Sequence, residues 1–544
     1  MKKYIIAVFA LLTGFTYASA QQKENHSSVV AKNLEIFEEI YKDLDLYYVD
    51  TLAADTAIRW AIDGMLERVD PFTAYYPADD EDLRQMATGK YAGIGAIIRF
   101  SKKQDRVVID EPYAGTPSYN SGLQAGDILI SIDGKDVKGM IPAKVTEMLR
   151  GEAGTTLTLI YQRPGQKKQT TVRITRATIQ IPAVPYYGVV GNKTGYIVLT
   201  GFTDGAAREV RAALEDLHRQ GIERLIFDLR ENPGGSLSEA VDIANLFIPK
   251  GQKVVYTKGK VTAANREYLT TTDPIAPNLP IVVLVNGGTA SAAEIVSGTL
   301  QDLDRAVIIG SRTYGKGLVQ AVRDVPYRGQ LKLTTSKYYI PSGRCIQAHQ
   351  YNHDGTTLTT PDSLTHIFHT AGGREVRDGG GIKPDIKSEP DSVATMIYDL
   401  VQSESFQDWI TEYHQKHPTI APAGEFHLTD ADYQDFSQYI TASGFTYNRR
   451  SLDLIKVLRD VAKREGYLAS AENEMKALED KFATNLEADL QRNKEDILPY
   501  LETEVVSRYY LLNGAIRQQL QGDKVFHEAL NLIQNEKEYN KVLK

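Results

Sequence analysis

The chain contains a single cysteine in 544 residues. Cys345 therefore has no intramolecular disulfide partner, and no cysteine set with zinc-ligand spacing exists. It lies in the strand-like run GRCIQ, where simple packing accounts for it. An excess of basic charge is also missing: Lys+Arg number 62 against 70 Asp+Glu, a formal net charge of −8. A phosphate backbone is held by net basic surface, so nucleic-acid binding is excluded as the main task. Beyond the first twenty residues no run is long and apolar enough to span a bilayer. There is no tandem repeat and no long low-complexity linker. What is present is ordinary globular composition, 42% hydrophobic and 24% charged. At 544 residues the chain is too long for one core and long enough for three or four domains.

The first twenty residues read as an export signal. Lys2 and Lys3 precede the apolar run YIIAVFALLTGF, and Ala18 to Ala20 supply the small-residue cleavage site, so the mature chain is expected to begin at Gln21. Losing two lysines moves the charge from −8 to −10. The apolar run is short for a membrane span, with an uncleaved anchor as the alternative. No cysteine follows the cleavage site, which argues against a lipid anchor. The expected destination is the periplasm.

Residues 21–88 are expected to be helical. NLEIFEEIYKDLDLYY places Leu34, Phe37, Ile40, Tyr41 and Leu44 near helical spacing, and DTAIRWAIDGMLERV follows with Asp55 as an expected N-cap. DPFTAYYP reads as a turn. Residues 89–177 change character, with short β runs such as IGAIIRF, RVVIDE, DILISIDG and TLTLIYQR between glycine-bearing turns. Residues 178–388 alternate strand and helix patterns, the signature of an α/β core, and end in a glycine-rich stretch, HTAGGREVRDGGGIKPDI, expected to be a loop. Residues 389–544 return to amphipathic helices and carry no recognisable chemistry. A packing or assembly role is the plain reading there.

Two segments of the α/β core carry chemistry. The strand run PIVVLVN leads through Gly287 and Gly288 to Ser291, which opens the helix SAAEIVSGTLQDL. A helix start offers unpaired N–H groups and partial positive charge, which favour an alkoxide and a nearby oxyanion. The strand–turn–helix placement follows the logic of a nucleophile elbow without the G-x-S-x-G spacing. A serine here is equally a common N-cap. Lys316, in TYGKGLVQ, alters that balance. A free lysine titrates near ~10.4, and a fall to about 7–8 would make it a general base. No acid flanks it, and its two glycines allow close approach to another element. If KGLVQAV is extended, Lys316, Leu318 and Gln320 share a face, and Gln320 can accept a bond from the amine. A surface lysine in a glycine turn is the alternative. A third segment, DLRENPGGSLSEA, ends a buried strand in Gly234 and Gly235. Their N–H groups, with that of Ala292, are candidate oxyanion donors. The alternative is a plain strand-to-helix turn.

These segments, with YAGIGA, SGLQAGDILISIDG, YYIPSGRCIQ and GGGIKPDI, occur in an order that resembles the carboxy-terminal processing, or tail-specific, proteases over about residues 30 to 390. The resemblance implies a multidomain α/β protein: a ClpP/crotonase-like α/β protease core with an inserted β-rich PDZ domain and helical N- and C-terminal regions. It implies Ser291 as nucleophile, Lys316 as base and Gln320 as its orienting partner, with no metal and no cofactor. Substrates would be polypeptides with apolar C-terminal tails. Within the resemblance YAGIGA is the carboxylate-binding loop, with the N–H groups of Gly93, Ile94, Gly95 and Ala96 aimed at a peptide end and the peptide adding as a strand beside GAIIRF. A small residue is expected where Glu231 stands. The helical regions are candidate surfaces for a homodimer or an adaptor.

Weaker signals remain. His349 and His353 lie four apart and His366 and His369 three apart, spacings that suit two ligands on one helix, but the setting reads as loop with no acidic third ligand. No histidine lies in the motifs around Ser291, so a Ser-His-Asp triad is the less economical mechanism. Glu294, one turn into the helix, reads as a helix-start charge.

Overall fold

The computed structural model describes residues 26–78, 80, 82–352, 354–483 and 485–544. The expected export segment, residues 1–20, and the expected mature start at Gln21 lie outside these. The chain divides into two compact units. The larger comprises Ala78–Ala321, Thr334–Gln350 and Thr357–Lys544; the smaller comprises the described residues up to Pro77 with Val322–Leu333 and Tyr351–Thr356.

In the larger unit the first β-rich stretch forms an antiparallel sheet. Strand β1, Ala96–Ser101, lies at its edge beside Arg106–Pro112, followed by Ile128–Ile132, Thr156–Gln162 and Gln169–Thr175. Period-two burial places Leu157, Leu159 and Tyr161 in one core with Val107, Ile109 and Leu129. Helix α1, Pro142–Leu149, begins with proline, whose fixed φ suits a first helical turn, and closes that core with Val145 and Leu149.

The second sheet has six strands, and their order in space equals their order in sequence. Strand β2, Tyr186–Val189, runs antiparallel to β3, Thr194–Val198. Helix α2, Ala206–Arg219, leads to β4, Arg224–Asp228, and α3, Leu237–Ala244, follows it. Then come β5, Ile281–Val285, α4, Ala292–Asp302, β6, Val307–Gly310, and the edge strand β7, Ile386–Lys387. From β3 to β7 all neighbours are parallel. The continuous apolar runs of β4 and β5 follow, because both sheet faces are covered. Phe227 and Val283 face α2, α3 and α4 through Leu214, Ile243 and Val296. Ile226, Val282 and Leu284 face the other way.

That other face is covered by the end of the chain. Helix α5, Lys494–Gln519, is interrupted at Leu511 (φ 55, ψ −163), and α6, Lys524–Gln534, lays Val525, Phe526, Ala529 and Ile533 on the sheet. Tyr539 completes the cover, its hydroxyl donating to Ile281 O at 2.9 Å and accepting from Ile281 N at 3.0 Å. The helices Thr395–Val401, Glu404–Lys416, Asp430–Ala442 and Leu486–Arg492 pack with the first part of α5 around Phe406, Trp409, Phe436 and Val505, while Arg450–Glu465 and Leu468–Phe482 pair with each other. The glycine-rich stretch expected to be a loop contains a hairpin, Ile367–His369 with Glu375–Arg377, and then β7. Its short strands are too brief to show a period in sequence.

A buried ion pair ties the end of α4 to the segment after Tyr339. Arg344 Nη2 donates to Asp302 Oδ1 at 2.8 Å, with the side chains 1% and 0% exposed, and Ser342 N–H donates to Asp302 Oδ2 at 2.9 Å. Asp302→Ala would leave the guanidinium buried without its carboxylate. The expected result is a loss of about 3–5 kcal/mol in stability, read by chemical denaturation. A loss under about 1 kcal/mol would show the pair to be solvated and dispensable.

In the smaller unit the helix His26–Tyr47 forms as its period predicts, yet none of its residues is buried. The next helix, Ala54–Glu67, corrects the expected cap. The cap position is Ala53, with no side-chain bond, and Asp55 lies in the first turn, where its charge faces the positive helix end. DPFTAYYP begins as a turn, with Asp70 Oδ1 accepting from the N–H groups of Phe72 and Thr73 at 2.8 Å. It then forms the strand Ala74–Tyr76, paired with Gln330–Lys332.

Candidate active site

Ser291 sits between β5 and α4 at φ 54, ψ −116. An ordinary N-cap residue is extended, so this backbone departs from the capping geometry. A positive φ is costly for a residue with a Cβ, and such a conformation persists only where its surroundings over-determine it. They do so here. Asn286 N–H donates to Thr289 Oγ1 at 2.9 Å, and that hydroxyl donates to Leu229 O at 2.8 Å. Asn286 Oδ1 accepts from the N–H groups of Glu231 and Gly288, each at 3.0 Å. Ala290 N–H donates to Asn232 O at 2.9 Å. The turn before Ser291 is thus bonded residue by residue to the loop after β4.

The Lys316 segment reaches the same place through a side chain read in sequence as a helix-start charge. Glu294 is fully buried. Its Oε2 accepts from Ser291 N–H at 2.8 Å and Lys316 N–H at 2.9 Å. Its Oε1 accepts from Gly315 N–H at 2.8 Å and Thr313 Oγ1 at 2.5 Å. One carboxylate oxygen therefore holds the backbone nitrogens of both Ser291 and Lys316, which lie no farther apart than those two bonds allow. Burial pushes the Glu294 carboxyl up to about 7, against the pull of its four donors. The S-x-x-E spacing from Ser291 is the local signal that could have found it. The convergence with Thr313 and Gly315 had none.

The glycines beside Lys316 permit the expected close approach. At Gly317 a Cβ would lie 2.7 Å from Gln347 N, and Gly315, at φ +85, would collide with Ala348. Ala348 N–H donates to Gly315 O at 2.9 Å and Gly317 N–H to Gln347 Oε1 at 2.7 Å. Lys316 is half-buried. The strand Leu318–Val325 begins two residues later, and Gln320 Nε2 donates to Thr334 Oγ1 at 3.1 Å, which fixes the amide rotation. Tyr338 joins Ser291 to the residue after Lys316: its N–H donates to Gly317 O at 3.0 Å and its hydroxyl to Ser291 O at 3.1 Å. Burial, and then the charge of Glu294, raise that phenol far above its ordinary range.

The third segment requires a correction. Gly234 N–H donates to Asn232 Oδ1 at 2.8 Å, so it is already engaged and does not serve as an oxyanion donor in this arrangement. The residue contributes space instead. At φ +95 a Cβ on Gly234 would meet Ala292 N and Ser291 Cβ, each at 2.8 Å. Gly235 follows at φ +143 against Phe202. Glu231 stands at φ 55, where a glycine would be less strained, which is the physical basis for expecting a small residue. Its carboxylate instead accepts from Asn286 Nδ2 at 2.7 Å and packs on Gly288.

In the β-rich module the loop before β1 has defined donors. Gly95, at φ +81, has its carbonyl held by Tyr113 N–H at 2.9 Å, Thr116 Oγ1 at 2.9 Å and Ser118 Oγ at 2.6 Å. Ile94 O accepts from Ser118 N–H at 2.8 Å. In a trans peptide N–H points opposite to C=O. The N–H groups of Gly95 and Ala96 therefore point away from Thr116–Ser118. A cavity of about 270 Å³ adjoins this loop, lined by Ile94, Ile98, Leu149 and Arg150 among others. Gly93 pairs with Ala177 in a separate two-stranded ladder. Of the histidines, His349 stacks edge-on against Tyr314 at 5.3 Å, His366 faces Asp378 at 3.1 Å, and His353 lies outside the described residues.

Comparison with known proteins agrees with this organisation. Family models match residues 193–357 as peptidase family S41, 108–163 as a PDZ domain, and 396–533 as a probable PDZ-protease C-terminal helical domain. A probable CtpA-like serine protease of Staphylococcus aureus (strain bovine RF122 / ET3-1) is 34% identical over 373 residues, 67% of this chain and 73% of the relative. A carboxy-terminal-processing protease of Bartonella bacilliformis is 35% identical over 328 residues, 59% of this chain and 74% of the relative. Among solved structures, a photosystem II D1 C-terminal processing protease covers 66% of this chain and 94% of its own at 26% identity, with a TM-score of 0.35. The chain, with its S41 peptidase core, PDZ domain and helical C-terminal region, belongs to the carboxy-terminal processing serine proteases.

Proposed function

We propose that this chain is a periplasmic endopeptidase that captures polypeptides by apolar C-terminal tails and cleaves them with a Ser291/Lys316 dyad. The observation that carries the reading is the Glu294 carboxylate, which holds the backbone of both residues at one point. Neutral Lys316 takes the Ser291 proton as the hydroxyl oxygen attacks the scissile carbonyl. Gln320, its amide set by Thr334, orients the amine. The N–H groups of Gly235 and Ala292 hold the oxyanion. Lys316 returns the proton to the leaving amine, and water then clears the acyl-enzyme. Export rests on the N-terminal sequence pattern. Among the described residues no helix is long and apolar enough to cross a membrane.

The PDZ loop is the proposed tail site. A peptide carboxylate would take the N–H groups of Gly95 and Ala96, and the peptide would extend β1 at its open edge. Such charge-assisted bonds contribute about 1.5–3 kcal/mol. An unfolded substrate whose apolar tail ends in an amide should therefore be cleaved with kcat/KM about 10- to 100-fold lower than its free-acid form. Gly95→Val should erase the difference, because a Cβ there meets Thr116 Cβ at 2.5 Å and φ is +81. The nucleophile is tested by a fluorophosphonate label: mass spectrometry should find it on Ser291. Labelling elsewhere would sink the dyad, and equal cleavage of both tails would sink the capture role.

A further inference from the structure

The end of the chain does more than cover the sheet. Asp523 caps α6, its Oδ1 accepting from Phe526 N–H at 3.0 Å, while its Oδ2 takes Arg230 Nη2 at 2.6 Å. Arg230 also holds Asp228, with Nη2 to Oδ2 at 2.5 Å and its own backbone N–H to Oδ1 at 2.9 Å. Tyr196 OH donates to the same Asp228 Oδ2 at 2.8 Å. The charged groups bonded to this guanidinium are the two aspartates. They offset the burial of Arg230 and keep it charged.

Arg230 is the last residue before the loop that shapes the site. From it the chain passes through positive φ at Glu231, Gly234 and Gly235. Asn232 O supports the residue before Ser291, and Gly234 packs on Ser291 itself. A strained path of this kind keeps its course only when its ends are held. On one side it is held by Asn286 and Asn232. On the other it is held by Arg230, whose outer carboxylate comes from the C-terminal helical segment.

We propose that Asp523 is a positioning residue for the peptidase centre, acting through Arg230 on the Glu231–Gly235 loop, so that the C-terminal helical domain is part of the catalytic apparatus. This rests on the dyad reading above and extends it. Asp523→Asn isolates the effect, because asparagine caps a helix as well as aspartate and has the same shape but cannot pair with Arg230 as an anion. Asp523→Ser, also a good cap, is the second variant. Activity is read on a short peptide ester, which bypasses tail capture, and is divided by the fraction of Ser291 that takes a fluorophosphonate. A merely structural role would lower that fraction or the thermal midpoint but leave kcat per labelled site unchanged.

The expected result is a fall in kcat per labelled site of about tenfold or more, with KM within about twofold and the midpoint within about 2 °C. Asp523→Glu should restore most of the rate. Backbone amide exchange over residues 230–236 should rise in Asp523→Asn and remain unchanged in β5. Either a kcat per labelled site within twofold of wild type or unchanged exchange overturns the proposal. A wild-type chain that neither cleaves nor labels would instead sink the dyad. Exchange alone would then decide whether Asp523 holds the loop.

Discussion

Ser291→Ala and Lys316→Ala are each expected to lower kcat/KM on an unfolded, apolar-tailed substrate by about 10⁴-fold or more, and the double variant is expected to be no worse than either single one. Residues that act as one unit lose their effect together, so their energies do not add. The structure makes this a clean test of chemistry. The bonds that place both residues on Glu294 come from backbone N–H groups, which alanine retains. The thermal midpoint should therefore move little. Lys316→Arg sharpens the point. Arginine keeps the charge and length but cannot give up its proton at working pH, so it cannot act as a base. An active Lys316→Arg variant would mean that the position supplies only a cation. Additive losses in the double variant would mean that the two residues act in separate steps.

Glu294→Gln is expected to lower kcat by about 10²-fold or more while leaving a folded protein. The wild-type carboxylate accepts from Ser291 N–H, Lys316 N–H, Gly315 N–H and Thr313 Oγ1, and no donor of its own faces them. An amide nitrogen in place of either oxygen would confront two of these donors with a third. A buried donor left without an acceptor costs about 1–3 kcal/mol. Protonation does part of the same damage, so wild-type activity should fall as pH drops through about 7, where burial places this carboxyl. The effect on stability has the opposite sign. A carboxyl whose folded pKa of about 7 exceeds the ordinary glutamate value of 4.5 binds more protons folded than unfolded between those two values. Stability from this group is present below the lower value and is lost as pH rises through the higher, by about 3 kcal/mol at most. The difference in unfolding free energy between wild type and Glu294→Gln, measured from pH 4 to 8, should carry that slope. A flat difference would mean that Glu294 is ionised throughout.

These predictions depend on convergence that local sequence does not encode. The expected strands β4 and β5 formed because their apolar runs are continuous, and the elbow at Ser291 could be foreseen from the strand, the glycine pair and the helix that follow one another in sequence. The close approach of Gly315 and Gly317 to Gln347 and Ala348 was also legible, since glycines on both sides of a residue let its backbone come near another element. Glu294 is the helix-start charge the sequence suggested, its carboxylate accepting from Ser291 N–H at the opening of the helix. Its burial against Thr313 and Gly315 comes from a loop some twenty residues away and had no local signal. Gly234 was misjudged. Its N–H looked available until the Asn232 side chain, two residues earlier, folded back onto it.

The termini divide in the same way. Periodicity correctly marked His26–Tyr47 as a helix with an apolar stripe, but a period says only that a face exists and not what covers it. The same period in α6 marks residues that lie on the peptidase sheet, in a region where sequence showed no chemistry. By itself the sequence determined most element types, the order of the modules and the choice of Ser291 and Lys316 as candidates, because strand runs, glycine turns and helix starts are set by neighbouring residues. Only the tertiary structure decided that Glu294 holds the backbones of Ser291 and Lys316 together and that Asp523 reaches Arg230. Buried charges find their partners across distant segments, and no local pattern records which acceptor a given donor will meet.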